Sequence, residues 1–417
     1  MKAFTGAAAA IGRRLVTEAI WHEDRCTWIG GRAGGERGDE HEATLDPWLY
    51  EGTSGVALFL AELHQVRPEP GARDTALGAM RHALRHAPPA GRGLGLYVGI
   101  GGVALVAARI GRLLDEEGLR DAARHLLRQV GPARHDNGHD LLSGAAGTII
   151  ALLALAHEFD DSALVAAAAG LGSALVAAGR AGPGLSWKSD PAISRRPLTG
   201  LSHGAAGVGF ALVQLGAVTG ERRFGEAALQ AFEYERAQFE RREGNWPDLR
   251  ATSRSSGPPV PGFMSAWCHG GPGIALSRLC GFELLGDHRC LEDAQIGLAL
   301  ARASLDRDVR SDYSLCHGTA GNAEIVAEGA AALGGDGAVA ASAAMARGAN
   351  LHGQDVSWPC GVTGHSSPGL MLGLAGIGRC LLRLSGVPLP SVLRIDGVAT
   401  QSKIGEDRPN DRPQGFR

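Results

Sequence analysis

Ser314-Leu315-Cys316-His317-Gly318-Thr319-Ala320-Gly321 places a soft sulfur ligand beside an imidazole and follows them with a Gly-x-x-Gly turn. Upstream, Ala266-Trp267-Cys268-His269-Gly270-Gly271-Pro272-Gly273 is a second copy. Gly200-Leu201-Ser202-His203-Gly204-Ala205-Ala206-Gly207 is a third, with Ser in place of Cys. Three related turns, two of them carrying Cys, predict a metal site assembled from distant segments.

The turn recurs seven times, each time ahead of an apolar run: Gly52–Gly55, Gly99–Gly102, Gly144–Gly147, Gly204–Gly207, Gly270–Gly273, Gly318–Gly321 and Gly373–Gly376. Between the second glycines the spacings are 47, 45, 60, 66, 48 and 55 residues. That period marks a repeat architecture, with room in each unit for two helices and their loops. Val56, Phe59, Leu60 and Leu63 stand at helical intervals, as do Val103, Val106, Ile110, Leu113 and Leu114. Leu77–Leu84 and Leu119–Val130 read as partner helices. Glycine at a helix entrance permits close backbone approach. Sustained β-branched alternation is scarce, which argues against a large sheet. The expected fold is all-α: seven helical hairpins joined at Gly-x-x-Gly turns. Periodicity leaves both an open solenoid and a closed ring available. Convergence of the Cys/His turns predicts the closed form, an α/α toroid (a double barrel) with its turns gathered at one end.

Bulk properties narrow the function. With 44% apolar and 20% charged residues over 417 positions, the chain is globular. Its net charge of -3 implies no general attraction to nucleic acid or an anionic membrane, though Arg195-Arg196 is a candidate basic patch. The seven cysteines are odd in number and widely spaced, which fits reduced thiols better than a disulfide framework. No sustained apolar run marks a signal peptide, and the longest uncharged stretch, Ser162 to Gly179, reads as a buried helix rather than a membrane span. The Ala/Gly/Arg-rich composition is compatible with a bacterium, so the bacterial cytoplasm is the expected compartment. Long segments at 30–47, 181–199, 242–265 and 353–367 are expected to rim one mouth of the barrel. Beyond residues 1–396, the polar stretch 397–417 is expected to be disordered.

Cys268, Cys316 and His317 offer two thiolates and an imidazole, a donor set that favours zinc over calcium or magnesium. Three protein ligands leave a fourth tetrahedral position open, the pattern of catalytic zinc. Against this stands the ordinary reading of a buried, inert cysteine. His269 is an alternative ligand to Cys268. Cys26, Cys280, Cys290 and Cys380 read as structural; Cys360 is undecided. His203 has no neighbouring Cys and suits acid/base work near neutral pH, with a capping or core histidine as the alternative. Asp140, before the third turn, reads first as a helix cap. His139, Asp190 and His365 are weaker loop candidates.

The Ser-His-Gly-x-x-Gly, Trp-Cys-His-Gly-x-Pro-Gly and Leu-Cys-His-Gly-x-x-Gly-Asn turns together resemble the lanthionine synthetase C-like family. Arg196–Gly204, Asn245-Trp246-Pro247-Asp248-Leu249-Arg250 and Pro368–Gly378 bring the chain closer to the C-terminal cyclase domain of class II lanthipeptide synthetases. The resemblance covers about residues 8 to 396. It implies a toroid of seven inner and seven outer helices, a cyclase domain over residues 1–396, and zinc (Zn2+) held by Cys268, Cys316 and His317. It also implies that His203 and Asp140 are active-site residues.

The implied reaction adds a substrate cysteine to a dehydroalanine or dehydrobutyrine of the same peptide, forming a lanthionine or methyllanthionine ring. His203 would protonate the α-carbon, with Asp140 orienting a partner or helping with the proton. Class II synthetases carry a dehydratase domain ahead of the cyclase. Here the substrate is expected to be a precursor peptide dehydrated by a separate dehydratase, unless the chain is a piece of a larger synthetase. Two other readings are a zinc-stabilised peptide-binding partner of that dehydratase and an enzyme joining glutathione to dehydroamino acids. An α/α-toroid hydrolase would want paired carboxylates, and Asp46, Glu51 and Asp140 are too scattered.

Overall fold

The computed structural model describes residues 2–32, 41–88, 93–128, 138–189, 193–194, 196–250, 262–306, 312–362 and 366–397. Arg195, Asp190, His365 and the tail beyond Gly397 lie outside them. Helix α1 (Lys2–Glu18) leads the chain. Behind the seven turns run α2 (Thr53–Val66), α4 (Ile100–Leu113), α6 (Ala145–Phe159), α8 (Ala205–Thr219), α10 (Gly271–Leu285), α12 (Thr319–Leu333) and α14 (Leu374–Leu384). These seven are buried over most of their circumference, as helices apolar all round must be. Each packs against its two neighbours, and α14 packs against α2, so the inner ring closes.

The outer layer comprises α3 (Ala72–His86), α5 (Glu117–Arg128), α7 (Ser162–Ala178), α9 (Arg222–Gln238), α11 (His288–Ser304) and α13 (Gly337–His352). Each pairs with the inner helix before it in the chain. The seventh hairpin departs from that order: α14 takes α1, from the opposite end of the chain, as its outer partner. The segment Ser162 to Gly179 is not the buried helix its composition suggested. Only Ala168, Gly172 and Leu175 of α7 are buried. Alanine leaves so little apolar surface that an outer helix tolerates it facing water. Three short antiparallel ribbons complete the described residues: β1 (Ile20–His22) with β2 (Arg25–Thr27), β3 (Ile29–Arg32) with β4 (His41–Thr44), and β5 (Arg180–Gly182) with β6 (Gly184–Ser186). Among the described residues, no helix is long and apolar enough to cross a membrane.

The repeat is glycine-rich for a steric reason. A Cβ on the second glycine of a turn would overlap the carbonyl oxygen six residues earlier, Leu96 for Gly102 and Leu370 for Gly376. That proximity lets the turns join in a belt of backbone hydrogen bonds. Tyr50 N–H donates to the Tyr97 carbonyl (2.9 Å), Tyr97 to Leu142 (2.9 Å), Leu141 to Ser202 (3.1 Å) and Ser202 to Cys268 (3.2 Å). Cys268 donates to Cys316 (3.3 Å), Cys316 to Met371 (2.9 Å), and Met371 back to Tyr50 (2.8 Å). All but Leu141 stand two residues before a turn's first glycine.

The axis beneath the belt is filled. Tyr97 and Trp267, from the second and fifth turns, meet edge to face at 5.0 Å. The Tyr97 hydroxyl donates to the Val392 carbonyl (2.6 Å) and the Trp267 indole to Leu393 (3.0 Å), so the C-terminal segment backs the belt.

Candidate active site at the turn end of the ring

The belt sets Cys268 and Cys316 side by side, Cys268 N–H donating to the Cys316 carbonyl at 3.3 Å. Both are buried. The Tyr50 hydroxyl, from the first turn, donates to Cys316 Sγ at 2.9 Å. The neighbouring Cys316 thiol, with the charges of His317 and Arg250, draws the Cys268 thiol below its ordinary value against its burial. The same proximity, with burial, pushes Cys316 well above the usual thiol range.

His317 follows Cys316, and its Nδ1 meets Asp312 Oδ2 at 2.6 Å. Asp312 Oδ1 accepts the Ser314 N–H at 2.6 Å, so one carboxylate braces both the turn and the imidazole. Burial works against a charged ring here, but the Asp312 contact outweighs it and His317 is raised above its ordinary value. Nε2 remains as the ring nitrogen for a ligand. A carboxylate behind an imidazole is the usual support of a metal-binding histidine. Two thiols on neighbouring turns and a carboxylate-backed imidazole fit zinc by donor chemistry. As they stand, His317 leans on Asp312, and no three His, Cys, Asp and Glu side chains among the described residues are arranged to hold a metal ion.

His203 and Asp140 come together from adjacent turns, Nδ1 to Oδ2 at 2.7 Å. Asp140 is not the helix cap its position suggested, since α6 has Gly144 as N-cap with no side-chain bond; Oδ1 instead holds the turn ahead of it, accepting the N–H groups of Ser143 and Gly144, each at 2.9 Å. Burial raises this carboxyl, but His203 and the two backbone donors together hold it below the usual carboxylate range. Both residues line a cavity of about 590 Å³, with Trp48, His139, Trp187 and Lys188. Loop 181–199 therefore does border the site.

His269 holds the same turn position as His203 and His317, one residue before the glycine. Its ring stacks on His203 with centroids 6.1 Å apart. It is 1% exposed, and neither ring nitrogen has a partner within hydrogen-bond reach; Asp248 Oδ1 stands 3.9 Å from Nδ1. Asp248 is engaged by Arg250, whose Nη2 approaches Oδ2 at 2.6 Å. Burial first, then the Arg250 charge, depress His269 to about 3. This enclosed ring backs His203. Cys360 is buried too, its thiol directed at the Trp358 and Ser367 carbonyls and pushed up to about 11 by burial. All seven cysteines are buried free thiols, as Cys26, Cys280, Cys290 and Cys380 were expected to be.

Asp312, Tyr50, Asp248 and Arg250 complete this neighbourhood without having been singled out for a role. Tyr50 carried a signal: it occupies the turn position of Cys268 and Cys316. Asp312 carried a fainter one, an acid just before a Cys-His turn.

A family model described as lanthionine synthetase C-like protein matches residues 43–389. Over 125 residues the chain is 31% identical to Glutathione S-transferase LANCL1 of Danio rerio, covering 30% of this chain and 28% of that protein. Over 134 residues it is 32% identical to Nisin biosynthesis protein NisC of Lactococcus lactis subsp. lactis, covering 30% of this chain and 31% of that protein. The matched stretches thus span about three tenths of those curated relatives' lengths. The solved structure of a nisin cyclase has the same fold, with a TM-score of 0.63 at 21% identity over 82% of this chain and 89% of its own. The chain belongs to the lanthionine synthetase C-like family.

Proposed function

We propose that this protein is a zinc-dependent lanthionine synthetase that adds a cysteine thiolate to dehydroalanine or dehydrobutyrine within one peptide, closing a thioether ring. The observation that carries the reading is the Cys268–Cys316 pair on the same belt of turns as an aspartate-held His203. Cys268, Cys316 and His317 are the residues that would hold the metal. Zinc bound there would lower the pKa of a substrate thiol, ordinarily about 8.5, so that it reacts as thiolate near neutral pH. Asp140 fixes Nδ1 of His203 and leaves Nε2 to deliver a proton to the substrate α-carbon. The cavity beside His203 receives part of a precursor peptide that a separate dehydratase has dehydrated.

Metal content measured by mass spectrometry on the purified protein and its Cys316→Ala variant tests this. Near-stoichiometric zinc in the parent and little in the variant is the expected result. A parent that neither contains zinc nor takes it up on reconstitution overturns the mechanism and leaves a peptide-binding scaffold.

The likeness to Glutathione S-transferase LANCL1 of Danio rerio favours a second reading, in which the thiol comes from glutathione. Offering glutathione together with a cysteine-free dehydroalanine peptide separates the two. A glutathione adduct on that peptide, with no ring closure on a cysteine-bearing one, would select the second.

A further inference from the structure

Arg250 is a cation of this site that the reaction above leaves without a task. It ends a segment built onto the fourth and fifth turns. The Asn245 side chain donates to the Met264 carbonyl (2.9 Å) and accepts the Gly271 N–H (2.9 Å), which fastens the segment to the turn of Cys268. Thr199, at the turn of His203, donates its hydroxyl to the Pro247 carbonyl (2.5 Å). Asp248 N–H donates to Gly262 (2.7 Å). On this frame Asp248 grips the guanidinium in a fork, with Arg250 Nε at 3.0 and 3.1 Å from its two oxygens and Nη2 at 2.6 Å. Nη2 also reaches Met264 Sδ at 3.4 Å. Nη1 has no protein partner among the described residues. The side chain is 39% exposed, and its partner Asp248 stands 3.9 Å from Nδ1 of His269, the residue after Cys268.

A local brace is the ordinary reading of such a pair, and Asp248 is buried enough to serve as one. Fastened to the turns of His203 and Cys268, the guanidinium also answers a chemical need. When the sulfur pair of electrons forms the bond to the β-carbon, the carbon–carbon π pair shifts toward the carbonyl. The carbonyl oxygen then takes up the negative charge of an enolate. Protonation of the α-carbon by His203 returns that pair, and the proton lost by the thiol balances the one gained by carbon. Nothing is oxidised or reduced. A fixed donor aimed at an oxygen that becomes anionic only during reaction accelerates it without tightening substrate binding.

Resting on the cyclase reading, we infer that Arg250 is a catalytic residue whose Nη1–H donates to the carbonyl oxygen of the dehydro residue and stabilises the enolate. Asp248 is its positioning residue, holding the fork so that it meets the substrate rather than collapsing onto the sulfurs.

The test uses a synthetic peptide with one dehydroalanine and one cysteine, read by loss of free thiol. Arg250→Gln is expected to lower kcat about 100-fold with KM nearly unchanged, and Arg250→Lys to recover part of the loss. The melting temperature and metal content should match the parent. Alkylation of the protein-bound peptide thiol by iodoacetamide forms no enolate, and its rate should stay within about 2-fold of the parent. Undiminished kcat in Arg250→Gln overturns the inference while the cyclase reading stands. An equal loss in the alkylation assay also overturns it, since Arg250 would then act on the thiol. A parent that closes no ring overturns the cyclase reading, and the inference falls with it.

Discussion

Two aspartate–histidine pairs at the mouth of the ring look alike and are built differently. Asp312 and His317 belong to one turn and meet at 2.6 Å. Asp140 and His203 come from adjacent turns and meet at 2.7 Å. In each, one carboxylate oxygen holds its own turn and the other holds an imidazole Nδ1. The pair internal to a turn follows directly on Cys316, which suits a ligand. The pair that bridges turns has no cysteine beside its histidine, which suits proton transfer. His269, between them in turn order, lacks an aspartate of its own because Arg250 has taken Asp248. One turn position thus holds three histidines in different settings, according to where the carboxylate comes from, and the proposed function gives two of them different tasks.

The sharpest way to break this comparison is to remove a sulfur. Cys316→Ala should reduce bound zinc to background and abolish ring closure, measured as metal content and residual free thiol. His203→Ala should keep parental zinc while lowering ring closure by about 10²- to 10⁴-fold. Zinc loss in that variant would make the two pairs equivalent and end the division of labour. Asp312→Asn should weaken zinc binding by about 10- to 100-fold, with ring closure restored by added zinc, as competition with a chelating dye would show. The smallest effect belongs to His269→Leu. It removes two unpartnered buried nitrogens, so thermal unfolding should show stability equal to the parent or higher by about 1 kcal/mol. A loss of ring closure as deep as that of His203→Ala would give His269 the proton role instead.

Much of this was legible in the chain before any coordinates. The Gly-x-x-Gly period gave seven units, and the two Cys-His turns pointed to convergence at one end. By its own position Asp140 was legible only as a cap, and only the family resemblance pointed to the site, because its second oxygen serves a histidine 63 residues away. The partner of α14 was hidden for a related reason: periodicity reports neighbours in sequence, and α1 is a neighbour only after the ring closes. Tyr50 meets Cys316 across a separation of 266 residues, which no local pattern encodes. The helix α7 misled because apolar composition was read as burial, whereas alanine content records only a lack of polar side chains.

The seventh hairpin also sets an order of events during synthesis. The ribosome releases α1 first and α14 last among the described helices, so the partial ring must wait with two raw edges for its final stave. Contacts between such distant segments form slowly, and apolar surface left open meanwhile favours association with other chains. Both Cys268 and Cys316 are synthesised before that closure, and Tyr50 covers Cys316 only once α14 has met α2. For that interval the two thiols lack the cover that buries them in the finished ring.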